Sequence, residues 1–140
     1  MPELVTLDSS IIVAALRKTE AHHERCLSLL EKVKDGFYSA VEPYIVLVEI
    51  AAALKRRTGS QKLSERVIKD ISAIDSIFFL DLDSVRAKRA VEIAQRFSVR
   101  GMDAIVIQIA EEFNATLLSL DYEIIKNVAS LVKTKAIDEI

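Results

Sequence analysis

The sequence predicts a single α/β domain with three layers, α/β/α, around a mostly parallel central sheet. Two observations carry this reading. Short apolar runs rich in β-branched residues alternate along the chain with longer helical patterns, the order expected of a sheet covered on both faces. The breaks between them are short turns, Lys34-Asp35-Gly36, Thr58-Gly59-Ser60 and Val99-Arg100-Gly101, with no repeat, low-complexity tract or linker. The 140 residues are therefore read as one domain, 1–140, long enough to bury a core without disulfides or a structural metal.

Leu4 to Leu7 reads as a first strand, and Ser9 or Ser10 as the cap of a helix from Ile11 to Arg17. Glu20 to Lys34 is helical, with Cys26, Leu29, Leu30 and Val33 on one face. Phe37 to Ala40 reads as a short second strand, and Pro43 as the first turn of a helix reaching Arg57. Ser60 or Ser64 opens a helix to Ile74, and Ile77 to Leu80 is a strand. An amphipathic helix follows over Ser84 to Phe97, and then an apolar, central one over Met102 to Phe113. Thr116 to Leu120 is a strand, Tyr122 to Val128 a short helix, and Leu131 to Lys133 a last strand.

Half the residues are hydrophobic, 51%, and 29% are charged, a globular and not a disordered composition. The net charge of −2 gives no global attraction to nucleic acid, so a binder of that kind needs local basic patches. Two stretches offer them: Lys55, Arg56 and Arg57 with Lys62, Arg66 and Lys69, and Arg86, Lys88, Arg89, Arg96 and Arg100. A stretch of this kind is more often a solvated face than an RNA track. Cys26 is the one cysteine, which excludes an internal disulfide and a cysteine-zinc cluster and suits a reducing cytoplasm. No apolar run is long enough to span a bilayer, and the start of the sequence lacks a basic region of the kind that precedes a secretory signal. His22 and His23 are adjacent, so on a helix they diverge by about 100° and make poor joint ligands.

Four acids sit in apolar surroundings. Asp8 directly follows the first strand, and Asp121 follows Thr116 to Leu120. In parallel α/β sheets the carboxyl ends of strands are where sites form. Glu49 lies in Ile45-Val46-Leu47-Val48-Glu49-Ile50-Ala51 and Asp103 opens Ala104-Ile105-Val106-Ile107. Each acid has a plain structural alternative: a cap or turn for Asp8, an ion-pair partner or an exposed stripe with Glu42 and Arg56 for Glu49, a helix start for Asp103. If the four meet, their mutual repulsion calls for a divalent cation, and an all-oxygen set favours Mg²⁺ or Mn²⁺ over zinc. Such an ion activates water and clamps phosphate oxygens, which makes a phosphodiester the natural substrate.

The same residues resemble the PIN domain family, in particular the VapC-type toxins of prokaryotic toxin–antitoxin pairs. Leu7-Asp8-Ser9-Ser10-Ile11-Ile12-Val13-Ala14 resembles the opening strand with its metal-binding Asp and nearby hydroxyl. Val48-Glu49-Ile50 is similar to the second acidic block, and Arg100-Gly101-Met102-Asp103-Ala104 to the third. Leu118-Ser119-Leu120-Asp121 resembles the fourth, where Ser or Thr precedes the last Asp by two residues, and Glu123 stands as an alternative fourth acid. The resemblance implies a Mg²⁺- or Mn²⁺-dependent ribonuclease. Asp8, Glu49, Asp103 and Asp121 would hold the metal and Ser10 and Ser119 support them. It also implies an RNA substrate, a homodimer and a cognate antitoxin. Two other classes compete: a non-catalytic RNA-binding or interaction module on the same fold, and a receiver-like phosphoacceptor domain. The latter needs an acidic pair after the first strand, where Asp8 is followed by two serines.

Overall fold

The computed structural model describes residues 2–140. Five strands, β1 (Glu3–Leu7), β2 (Tyr38–Pro43), β3 (Ile77–Leu80), β4 (Thr116–Ser119) and β5 (Thr134–Ala136), form one sheet in the order β3-β2-β1-β4-β5. Every pairing is parallel. Seven helices connect them: α1 (Ser9–Leu16), α2 (His23–Lys34), α3 (Ile45–Thr58), α4 (Gln61–Ser72), α5 (Ser84–Arg96), α6 (Gly101–Phe113) and α7 (Tyr122–Val128). The expected α/β/α layering is what forms. α6 lies along β1, β2 and β4 on one face, and α1 and α2 pack against the other. A receiver-like domain has the strand order 2-1-3-4-5, so this topology removes that reading.

The core is aliphatic. Leu7, Ile11, Ile12, Leu29, Leu30, Ile50, Leu54, Ile93 and Ile107 are fully buried, and each such side chain contributes about 1.5–3 kcal/mol on leaving water. Central β1 and β4 carry apolar residues on both faces because both are covered. Among the described residues no helix is long and apolar enough to cross a membrane. Cys26 is buried in this core, and burial pushes its thiol up to about 11, which leaves it inert.

Several boundaries differ from the sequence expectation. α1 starts at Ser9 with Asp8 in the N-cap position, so neither Ser9 nor Ser10 caps it. α2 starts at His23 and not Glu20. His22, at φ 63°, turns the chain in the left-handed region, and Glu20 is spent on Arg17 and Arg57. The last strand lies at Thr134–Ala136 and not Leu131–Lys133, since Leu131 and Val132 still bond back to Val128 at the end of α7.

The largest difference is at β2, which continues three residues past Ala40, and Pro43 ends the strand instead of opening α3. Pro43 has no N–H to donate, and Tyr44 N–H makes the next bond, to Leu80. The extension carries Glu42 into the interior, fully buried. Here β1 and β2 part: Thr6 Oγ1 donates to the Val41 carbonyl, and Leu7 N–H donates to Glu42 Oε1 at 2.6 Å. The Glu42 carboxyl thus takes the place of a ladder carbonyl, while its Oε2 has no partner. Burial, and then the charge of Asp8, hold its pKa well above the ordinary 4.5, although the Leu7 N–H works the other way. Burial therefore favours the neutral form of Glu42.

Glu42→Ala leaves a buried N–H unpaired and is expected to cost about 1–3 kcal/mol by urea unfolding. A raised native pKa gives stability that is full below 4.5 and falls as pH rises through the native value. Glu42→Gln mimics the protonated form. In chelator it should match the wild type in acid and exceed it at alkaline pH, flattening part of the decline.

Candidate active site

The chain runs from β1 to β2 and β3 on one side of the sheet, and β4 and β5 lie on the other. The switch point is therefore between β1 and β4, and a crevice beyond their carboxyl ends is the place for chemistry. Asp8 leaves β1 there, its N–H bonded to Leu118 of β4 at 2.9 Å. Its Oδ2 accepts from Ser10 Oγ and from Ser119 Oγ, each at 2.9 Å. The two hydroxyl oxygens in turn accept from the Leu120 and Asp121 N–H groups. The start of α1 and the end of β4 are thereby fixed around one carboxylate. The serines expected as caps or supports are both ligands of Asp8, with Oδ2 occupied and Oδ1 clear of side-chain donors among the described residues.

Asp103 reaches the same crevice from the first turn of α6. Its side chain is buried, and a small void of about 10 Å³ is lined by Asp8, Asp103 and Ser119 together. Glu49, on the fifth position of α3, is half-buried at the rim. The electrostatics tie the three together. Asp8 is raised by burial and by Asp103, against the pull of the two serines. Glu49 is raised by burial, then by Asp8 and Asp103, with Arg100 and Ser9 opposing. The end of β1, α3 and α6 thus bring three acids to one crevice, where the charge of Asp103 bears on Asp8 and both bear on Glu49.

Asp121 is placed differently. It is exposed, and its Oδ1 accepts from the Glu123 and Ile124 N–H groups as the cap of α7. Glu123 is exposed as well. Neither belongs to the coupled group, so the fourth position is joined to it through Ser119 alone: Asp121 N–H donates to the hydroxyl that holds Asp8.

The donor chemistry suits a hard divalent cation, with carboxylate and hydroxyl oxygens and no sulfur. Among the described residues, no three such side chains converge closely enough to grip one ion as they stand.

Two features escaped the sequence reading. Glu42, which the sequence offers as part of an exposed stripe, is buried because β2 runs on past Ala40. Arg100 was counted in a basic face, yet its Nε donates to Asp103 Oδ2 at 3.1 Å. The rest of that basic stretch is largely committed. Arg86 takes both oxygens of Glu112, and Arg89 both oxygens of Glu111 as well as Glu92, which rivets α5 to α6. Beside the acids, between α5 and α6, lies an apolar groove of about 540 Å³, walled by Ala90, Val91, Ala94 and Ile105, with Glu49 and Arg100 also lining it.

Topology and site together define a class of α/β protein whose polar machinery is a set of carboxylates gathered at the switch point of a parallel sheet. Residues 5–131 match the PIN domain family, and the chain belongs to it. Solved structures agree in fold. The VapC20 toxin of Mycobacterium tuberculosis, described as cleaving the sarcin-ricin loop, superposes with a TM-score of 0.75 at 16% identity, covering 94% of this chain and 98% of that one. DNA-bound VapBC from Salmonella typhimurium gives 0.71 at 13% identity, covering 98% and 99%. VapBC2 from Rickettsia felis, bound to a promoter DNA fragment, gives 0.70 at 14%, covering 95% and 98%. No protein of curated function matches the chain by sequence.

Because the charge of Glu49 is opposed by its neighbours, Glu49→Gln should stabilise the protein in chelator near pH 7. After solvent screening the gain is about 0.5 kcal/mol. Thermal unfolding checks this, and the difference should vanish in acid below 4.5, where the wild-type carboxyl is protonated too.

Proposed function

We propose that this chain is a metal-dependent endoribonuclease, the toxin of a toxin–antitoxin pair, acting in the cytoplasm. The observation that carries the reading is the gathering of buried Asp8 and Asp103, with Glu49 at the rim, at the switch point of a PIN domain. Neighbours described as a loop-cleaving toxin and as toxin–antitoxin complexes support it. Asp8, Glu49 and Asp103 would hold Mg²⁺ or Mn²⁺, with Asp121 in an outer, supporting place. The ion, when bound, supplies a more acidic water and a positive clamp on phosphate oxygens.

The protein's own contributions are orientation and charge. Ser10 and Ser119 fix one oxygen of Asp8, so its other oxygen points in a defined direction. The first turn of α6 brings Asp103 to the cleft with favourable helix-dipole electrostatics. Burial of Asp8 lowers the local dielectric and strengthens every charge interaction there. Exposed cations have to hold the RNA backbone. With Arg86 and Arg89 committed to Glu112 and Glu111, the candidates are Lys55, Arg56, Lys62, Arg66 and Lys69 around the α3–α4 turn, and Lys88 and Arg96 on α5.

The partner reading has two halves. Exposed Tyr44 and Val48 on α3 and Leu63 on α4 favour a homodimer through these helices. The apolar groove next to the acids suits an antitoxin segment that lays apolar side chains along α5 and α6 and sends an Arg or Lys towards the carboxylates. The alternative, a non-catalytic module on this fold, gives no reason for three buried or half-buried acids to be gathered without cations of their own number.

Purified protein should cleave RNA with Mg²⁺ or Mn²⁺, poorly with Ca²⁺, and not in chelator. Asp8→Asn, Glu49→Gln and Asp103→Asn should each lower the rate at least a hundredfold with an unchanged circular dichroism spectrum, and Asp121→Asn about tenfold (order of magnitude). Equal cleavage in chelator and in Mg²⁺ would falsify the metal mechanism. Light scattering at micromolar concentration should give twice the monomer mass, and Val48→Glu should shift it to monomer.

A further inference from the structure

Arg100 stands in the N-cap position of α6, a place that favours Ser, Thr, Asp or Asn and disfavours a cation, since the positive end of the helix dipole lies there. It caps nothing. What holds it is the acid group: Nε donates to Asp103 Oδ2 at 3.1 Å. The contact is lopsided, with the Asp103 side chain 8% exposed and the Arg100 side chain 83% exposed. Its charge favours the ionised form of Glu49. Its own proton is held more tightly first by Asp103, and then by Asp8 and Glu49. Among the described residues no other basic side chain forms an ion pair with these acids, and Arg86 and Arg89 are turned to Glu112, Glu111 and Glu92.

We propose that Arg100 is the resident counter-cation of the acid group, competing with the divalent ion for Asp103 and so setting the ion concentration at which the site fills. The inference rests on the metal-dependent reading above. It accounts for two facts at once. Asp103 is engaged by a guanidinium, and no three donors stand close enough together to grip an ion. The exchange is easy, because a side chain this exposed swings into water with little loss. An ion pair of this kind weighs a factor of roughly two to five in an equilibrium constant. A competing state populated to that degree weakens the apparent affinity of the ion by the same factor.

Calorimetric titration of Mn²⁺ into the full chain tests this without any reaction being run. Arg100→Gln should bind Mn²⁺ two- to fivefold more tightly than wild type. Arg100→Lys, which can still pair with Asp103, should stay near wild type. Arg96→Gln removes the same charge at the end of α5, away from Asp103, and should leave the affinity unchanged. Equal or weaker binding by Arg100→Gln overturns the inference and leaves the metal reading standing. So does equal tightening by Arg96→Gln, which would reduce the effect to overall charge. Absence of Mn²⁺ binding by both wild type and Arg100→Gln removes the metal reading itself, and the competition with it.

Discussion

The carboxylate of Asp8 is where the architecture of this protein converges. One of its oxygens takes the hydroxyl hydrogens of Ser10 and Ser119, so the start of α1, the end of β1 and the end of β4 share a single acceptor. The loop behind β4 is drawn in as well, because Leu120 and Asp121 donate their N–H groups to the same two hydroxyls. A buried carboxylate needs such donors to remain charged. Here the donors come from the elements that have to be held together, so satisfying the charge and closing the switch point of the sheet are one event.

That economy has a cost on the opposite flank of β1. The strands β1 and β2 part at their carboxyl ends, and a side-chain carboxyl from Glu42 takes over the task of a main-chain carbonyl. The gap is thus sealed by a group whose neutral form burial favours, bonded to the residue next to Asp8. The arrangement follows from the twist and divergence of parallel strands around a site. Backbone groups there cannot all face one another, and side chains fill the vacancies.

Much of this was legible in the amino-acid order. The alternation of strand and helix patterns, with Asp8 at a strand end and Asp103 at a helix start, carries the fold and two of the three coupled acids. Glu49 was legible because a carboxylate in the middle of an apolar helix needs an explanation. Less legible were facts that depend on pairing across long separations. The strand containing Glu42 was cut short because Pro43 suits a helix start as well as a strand end, and only the bond from Tyr44 to Leu80 decides between them. Asp121 looks like Asp8 in sequence, each following a strand. The difference is that Asp121 caps α7 and Asp8 caps nothing. The cationic stretch from Arg86 to Arg100 reads as one face, yet it divides into rivets between α5 and α6 and a single guanidinium at the acids.

The order of the strands also governs when this protein becomes itself. Of the five strands β1 comes earliest in the sequence and lies in the middle of the sheet, and β4 on its far side lies more than a hundred residues downstream, the Ser119–Asp8 bond spanning 111 positions. As the chain leaves the ribosome, β1 can find β2 early but keeps one edge bare until β4 has emerged. Asp8 lacks its hydroxyl partner from β4 over the same interval. A chain that ends before β4 therefore has neither the β1–β4 pairing nor the Ser119 hydroxyl that holds Asp8.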